Sequence, residues 1–112
     1  EPFIIREDGS STRAIIEQFL ANYGISISDL HIALIVESTS SIKEAVGKGM
    51  GLSIVSKWAI RKEVACGNLR ILQLKEGKIL RKFYIVLPKN TVLSAAVEEF
   101  INYLKNYPYS NI

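Results

Sequence analysis

The sequence predicts an α/β domain in which a mainly parallel sheet is flanked by helices and followed by a C-terminal helix. Three apolar runs of strand length, Phe3–Ile5, Ile32–Val36 and Leu52–Val55, are each followed by a polar or Gly-containing segment and then by a helical pattern. This alternation favours parallel strands joined by helices. The 112 residues carry a net charge of +3 and are 48% hydrophobic, which fits one compact domain and excludes a disordered chain or a multidomain enzyme.

The first predicted unit consists of a strand, a loop and a helix. The strand at Phe3–Ile5 ends in the polar stretch 6–11, where Ser10 or Ser11 can cap the helix that follows. Gly24 can supply the left-handed residue that ends this helix. Helical spacing places four apolar residues on one face, namely Ile16, Phe19, Leu20 and Tyr23.

The second unit repeats this order. The uninterrupted apolar run Ile32–Val36 is typical of a strand that is buried on both faces. A helix is expected after the segment 37–41, and Ser41 and Glu44 have the spacing of a capping box at its start. Three glycines end this helix, namely Gly47, Gly49 and Gly51. The third strand, Leu52–Val55, leads to a short helix at about 57–64 that carries Trp58.

The C-terminal part of the chain has a different pattern. Leu69–Leu74 and Phe83–Leu87 are predicted strands, separated by the charged stretch 75–82. An amphipathic helix is expected from about Ser94, with Glu98, Glu99 and Lys105 on its polar face. Its apolar face must be buried against another surface, and consists of Leu93, Val97, Phe100, Ile101 and Leu104.

Two loops rich in serine and threonine carry the strongest chemical signal. The stretches 9–12 and 38–41 each follow a strand and begin a helix. In an open parallel sheet both lie at the carboxyl edge of the strands, where ligands usually bind. Helix N-termini and hydroxyl groups suit a small anion such as a carboxylate, sulfate or phosphate. The alternative is that these hydroxyls only cap two helices.

Two arginines flank the first loop and could hold a carboxylate between paired N–H groups. Arg6 precedes the loop and Arg13 follows it. The alternative is that both arginines pair with neighbouring carboxylates, which are Glu7, Asp8 and Glu17. The segment 47–51 does not match a phosphate-binding glycine loop, because it lacks the required Gly-Lys-Ser/Thr spacing and follows a helix.

Several other classes of function are disfavoured. His31 is the only histidine and Cys66 the only cysteine, so neither a metal site, a disulfide framework nor a catalytic Cys–His pair is expected. The lone cysteine fits a reducing cytoplasm. No apolar run is long enough to span a membrane. The basic cluster at 75–82 is more simply a solvated loop than a nucleic-acid surface. No cofactor is indicated.

The ordered motifs resemble the effector-binding domain of LysR-type transcriptional regulators. The opening PFIIREDGSSTR, at 2–13, is similar to that of the family's second effector lobe. The segments ESTSSIKEAV, at 37–46, and GMGLSI, at 49–54, are similar to the motif that follows it. The family's later motifs are resembled by four further parts of the chain, namely Gly67-Asn68-Leu69, the run 83–86, the stretch 93–96 and Phe100. The resemblance covers nearly the whole chain.

This resemblance implies one lobe of a Rossmann-like fold of the type 2 periplasmic-binding-protein class. Residues 1–87 would form the second regulatory lobe, and residues 88–112 the returning segment and the helix that packs on the first lobe. The chain begins Glu1-Pro2-Phe3 and has its only methionine at position 50, so we expect a piece of a longer protein. The DNA-binding winged helix-turn-helix would lie outside this chain.

The resemblance also implies a non-catalytic function. A small anionic metabolite would bind in the cleft and change the arrangement of a cytoplasmic homo-oligomer on DNA. The contacts carried over from the family lie on the two loops, at Arg6, Ser10, Ser11, Thr12, Ser38, Thr39 and Ser40. Ser11 departs from the family pattern, in which glycine often follows the first serine. The alternatives are a lobe of a solute-binding protein of a transport system and a small α/β enzyme.

Overall fold

The computed structural model describes residues 1–90 and 92–108, which form two compact units, Glu1–Leu80 and Arg81–Ile112. Two strands and three helices lie in the first unit: β1 (Phe3–Arg6), α1 (Ser11–Ala21), β2 (Ile32–Val36), α2 (Thr39–Gly47) and α3 (Arg61–Ala65). Short 3₁₀ turns precede β2 and α3, at Ile27–Asp29 and Lys57–Ile60. The second unit contains α4 (Ala95–Asn106). Positions 91 and 109–112 of the segment 88–112 lie outside the described residues.

The predicted parallel sheet is present, and it is smaller than expected. β1 and β2 pair in parallel, with Ile4 opposite Leu34 and Arg6 opposite Val36. The third predicted strand is reduced to one bridge, in which the amide of Leu52 donates to Pro2 O (2.9 Å) and the amide of Ile4 donates to Leu52 O (2.8 Å). Pairing does not continue along 53–55. The α/β class is therefore confirmed, with a sheet of two full strands among the described residues.

The close approach at this bridge depends on Gly51. A Cβ atom at position 51 would lie 2.5 Å from Pro2 O, which is closer than van der Waals contact allows. The glycine that was expected to end α2 therefore also lets the chain reach the edge of β1.

The core lies on one face of the sheet, between the strands and α2. Ile4, Ile42 and Ala45 form its buried cluster, and Leu34 and Val36 of β2 pack against them. β1 is covered on both faces, since Ile5 is also buried and lines a small internal cavity together with Ile16 of α1.

β2 differs from the expectation that it is buried on both faces. Its residues alternate between half-buried and exposed, and Ile35 is 57% exposed. The prediction that this strand is buried on both faces is wrong for the described part of the chain. An apolar run sets which residues can be buried, whereas the elements packed on each face decide which ones are.

The helix starts were predicted correctly for α1 and incorrectly for α2. Ser10 caps α1 by accepting from the amide of Arg13, and Gly24 has a φ of +71° just beyond its end. The proposed capping box in α2 is wrong, because the cap is Ser38, which accepts from the amide of Ser41. Since the helix begins three residues earlier than the box requires, Glu44 lies beyond the first turn and pairs with Lys48 (3.0 Å).

The two predicted strands in the C-terminal part are absent. No strand is assigned at Leu69–Leu74 or Phe83–Leu87, and the side chains of the second segment are exposed. A strand needs a hydrogen-bonded neighbour, and neither segment has one among the residues that the structure describes. The final helix is confirmed as α4 with Ser94 as its cap, and Phe100 on its apolar face is 60% exposed. Across 1–90 and 92–108, no helix has the length and apolar character that a membrane span requires.

Candidate functional site

The two predicted loops lie at the same edge of the sheet. β1 and β2 run in parallel and end in register, with Arg6 opposite Val36. α1 begins at Ser11 and α2 at Thr39, so both helix N-termini follow directly from this carboxyl edge. We call residues 9–12 the first loop and residues 38–41 the second loop. The expected juxtaposition of the two loops is therefore present.

The hydroxyl groups of the loops fall into two groups. Ser10 is buried and Ser38 is half-buried, and each caps its helix through its side-chain oxygen. Ser38 Oγ also lies 2.8 Å from Ser41 Oγ. Three further hydroxyls lie in the first turns of the helices and are half-buried or exposed: Ser11, Thr12 and Thr39. Ser40 is exposed. Capping, the alternative interpretation, thus accounts for Ser10 and Ser38.

Arg6, at the end of β1 just before the first loop, reaches the second loop. Its guanidinium donates from Nε to Glu7 Oε2 (2.8 Å) and from Nη2 to Glu7 Oε1 (2.9 Å). Its Nη1 lies 3.5 Å from Thr39 Oγ1, which is a long contact for a hydrogen bond. The predicted alternative, pairing with Glu7, therefore occurs, and the opposite end of the same guanidinium reaches the second loop.

Arg13, directly after the first loop, makes two contacts through its guanidinium. Its Nε pairs with Glu17 Oε1 (2.7 Å), one turn further along α1. Its Nη1 donates to the carbonyl oxygen of Arg6 (3.2 Å), the last residue of β1. The second contact ties the end of β1 to the start of α1, whereas the first lies within α1. Together they account for Arg13 as a structural residue.

The electrostatics of this edge combine two helix N-termini with a neutralised ion pair. Neither α1 nor α2 has an acidic residue in its first turn, so no carboxylate there offsets the positive end of either helix dipole. The guanidinium of Arg6, followed by the residue's own backbone amide, holds the pKa of the Glu7 carboxyl below its usual range. The hydrogen bonds that Arg6 donates to Glu7 in turn raise the pKa of Arg6. Both side chains are therefore charged at neutral pH.

Sequence reasoning treated Glu7 only as a competitor for Arg6 and missed its place at the site. Neighbouring residues in a strand point to opposite faces, so a pair at i and i+1 is not expected to form a two-point ion pair. Here β1 ends at Arg6, and the amide of Glu7 donates to Val36 O (3.1 Å) as the chain leaves the strand. The end of the strand at an Arg-Glu dipeptide is the signal that could have shown the pair.

One open groove on the described part of the chain lies apart from most of the predicted site residues. The groove, of about 500 Å³, lies beside α2 and α3, and its lining shares only Ser40 with the predicted residues. Lys43 Nζ lies 2.7 Å from Glu63 Oε1 across this groove and donates to Ala59 O (3.1 Å). The hydrogen bond from Lys43 holds the pKa of Glu63 below its usual range. We interpret this pair as a brace between the helices.

Comparison with known proteins identifies the domain. The family model described as the LysR substrate binding domain matches residues 1–108. The RuBisCO operon transcriptional regulator of Acidithiobacillus ferrooxidans is 35% identical over 103 residues, which is 92% of this chain and 32% of that protein. The HTH-type transcriptional activator CmpR of Synechocystis sp. is 32% identical over 104 residues, which is 93% of this chain and 33% of that protein.

A third relative is named as an import protein and not as a transcriptional regulator. The phosphonates import ATP-binding protein PhnC of Anaeromyxobacter dehalogenans is 35% identical over 100 residues, which is 89% of this chain and 20% of that protein. No solved structure matches significantly. The chain spans a third or less of the length of these relatives. Because the family model covers almost all of its residues, the chain belongs to the LysR substrate-binding domain family, the effector-binding domain of LysR-type transcriptional regulators.

Proposed function

We propose that this chain senses a small anionic metabolite for a transcriptional regulator, and that the anion binds between the first and second loops. The observation that carries the proposal is the parallel pairing of β1 and β2, which brings two helix N-termini to one sheet edge. Amide groups and the positive ends of two helix dipoles favour a carboxylate, sulfate or phosphate group there. Domains of this family belong to transcriptional regulators, which are not enzymes.

Each predicted residue has a role in this proposal. Ser10 and Ser38 fix the two helix starts by capping them. Hydroxyl donors near the anion come from Thr39 and Ser40, since a hydroxyl can donate one hydrogen bond even when its oxygen also accepts. Ser11 and Thr12 lie in the first turn of α1 at the same edge. Arg6 contributes the nearby positive charge and reaches toward Thr39. The anion replaces water between groups that the sheet edge already holds in place.

The larger protein is proposed to work as follows. Residues 1–87 form one lobe of the effector domain, and residues 88–112 return toward a first lobe that lies elsewhere in the protein. Binding of the metabolite favours one arrangement of a cytoplasmic homo-oligomer, and a winged helix-turn-helix outside this chain carries that change to DNA. The names of the relatives support a role in transcription, since several are transcriptional regulators. The transport alternative is not favoured.

The anion site is tested by NMR titration of the isotope-labelled chain with sodium sulfate, at an ionic strength held constant with sodium chloride. We expect saturable shifts of the amides in the first and second loops. Thr39→Ala is expected to weaken sulfate binding several-fold, because it removes a hydroxyl of the second loop. The matched control is Ser28→Ala, in the 3₁₀ turn that precedes β2 at the opposite edge of the sheet. Shifts confined to the basic stretch 75–82 would contradict the proposal.

A further inference from the structure

Glu7 has no assigned role at the sheet edge, although its carboxylate contacts a predicted ligand-binding residue. It binds the Arg6 guanidinium at two points, through Nε (2.8 Å) and Nη2 (2.9 Å). Such a two-point contact fixes the plane of a guanidinium as well as its position. The contact occupies one edge of the group and leaves the Nη1 end facing Thr39 (3.5 Å).

Three hydrogen bonds hold the backbone of Arg6 and Glu7 in place. The amide of Glu7 donates to Val36 O (3.1 Å), and its carbonyl oxygen accepts from the amide of Ser10 (3.2 Å). Arg13 Nη1 donates to the carbonyl oxygen of Arg6 (3.2 Å). Only the side chains of the pair are therefore free to change orientation, and they are 20% and 35% exposed.

Glu7 can affect a bound anion in two opposite ways. If it only competes for Arg6, its removal frees a cation and the anion binds more tightly. If it holds Arg6 in place, its removal lets a long side chain swing away and the anion binds more weakly, even though the net charge becomes more positive. The geometry favours the second effect, because the end of the guanidinium that faces the second loop is not the edge that Glu7 occupies.

We propose that Glu7 is a positioning residue for the anion site, which turns the Nη1 end of Arg6 toward the second loop. This inference rests on the proposed function, since it assigns to Arg6 the anion that the two loops are proposed to bind. It also defines the ligand more narrowly. The anion meets the end of one guanidinium and two helix N-termini, so a compact oxyanion group fits better than an extended acidic surface.

The test compares sulfate binding by the wild-type chain and by Glu7→Gln, in the same NMR titration. We expect Glu7→Gln to bind sulfate about two- to fivefold more weakly, the range set by a surface ion pair whose side chains are partly exposed. Asp8→Asn is the matched control, because it removes the same charge from the neighbouring exposed residue, whose carboxylate bonds to the amide of Gly9. If only the net charge mattered, both Glu7→Gln and Asp8→Asn would bind sulfate as tightly as the wild type or more tightly.

Two further variants make the outcome specific. Glu7→Asp keeps the charge on a shorter arm and is expected to be intermediate, and it replaces Glu7→Gln if that variant loses its dispersed amide spectrum. In an Arg6→Gln background, Glu7→Gln should have no additional effect. Tighter or unchanged binding by Glu7→Gln would overturn the positioning role and leave the anion site standing. No loop response to sulfate in the wild-type chain would overturn the proposed function, and the positioning role with it.

Discussion

Two apolar segments of similar composition have different structures in this protein. Ile32–Val36 forms β2, whereas Phe83–Leu87 has no strand, and its residue Val86 is 86% exposed. Both segments are five residues long and rich in β-branched and other apolar side chains. β2 has β1 as its parallel partner and packs Leu34 and Val36 against the core under α2.

The difference shows that composition gives a segment the capacity to form a strand, and that its neighbours decide whether the strand forms. Strand propensity mainly measures how well a side chain fits a surface that is already paired and half-buried. β2 depends on β1 at its edge and on α2 over one face. Changes that weaken α2 should therefore make β2 behave more like the segment 83–87.

The largest effect is expected from removing a core side chain of α2. Ile42→Ala leaves a cavity beneath β2 and should lower the free energy of unfolding by about 3 kcal/mol. Urea unfolding at neutral pH measures this change. Hydrogen exchange should then become faster along β2, because the strand loses the packing that protects it.

Ile35→Ala is the matched control on the other face of the same sheet. It makes the same chemical change at a side chain that is 57% exposed, so the expected loss is under about 1 kcal/mol. Equal losses of stability for the two variants would show that α2 does not stabilise β2. Packing under α2 would then not explain why β2 forms a strand and the segment 83–87 does not.

The fold class was predictable because strand–loop–helix order is a local property of the sequence. The runs at 3–5 and 32–36 and the helices that follow them depend on patterns within a few residues. The strands predicted at 69–74 and 83–87 were wrong for the opposite reason, since pairing depends on distant residues. The exposed face of β2 was missed for the same reason, because an apolar run does not show which face receives a helix.

A smaller effect is expected from the N-cap of α2. Ser38→Ala removes the oxygen that accepts from the amide of Ser41 (3.1 Å) and should cost about 1 kcal/mol of stability. Urea unfolding again measures the change. Ser40→Ala, within the first turn of the same helix, is the control and should have little effect because alanine favours a helix interior. If Ser40→Ala lowered the stability as much as Ser38→Ala, the assignment of Ser38 as the N-cap would be wrong.

The candidate site was only partly predictable from sequence. Its two loops follow from the parallel order of the strands, so their shared edge could be predicted before any side chain was placed. The sequence offers the pairing of Glu7 with Arg6 as one of two alternatives. It does not show that the Arg6 guanidinium turns toward Thr39, because this orientation depends on where β1 ends and on its register with β2. The ligand roles of the loop hydroxyls stay a prediction.

The smallest effect concerns the pH dependence of the brace between α2 and α3. Lys43 lowers the pKa of the Glu63 carboxyl in the folded protein below its ordinary value of 4.5, so the unfolded chain takes up a proton first as the pH falls. The stabilisation by this pair is therefore complete above the ordinary value and is lost as the pH falls through the lowered one. Glu7, bonded to Arg6, shifts stability in the same direction.

Urea unfolding of the wild type and Glu63→Gln, from about pH 7 to about pH 3, measures this dependence. The wild type should be more stable at neutral pH, and the difference should shrink as Glu63 becomes protonated and Lys43 loses its charged partner. Glu99→Gln, on the exposed face of α4, is the matched control for the loss of one carboxylate. A difference that stays constant with pH would mean that Glu63 acts through its shape and hydrogen bonding alone. α2 would then be held over β2 by packing, without a contribution from the charge of the brace.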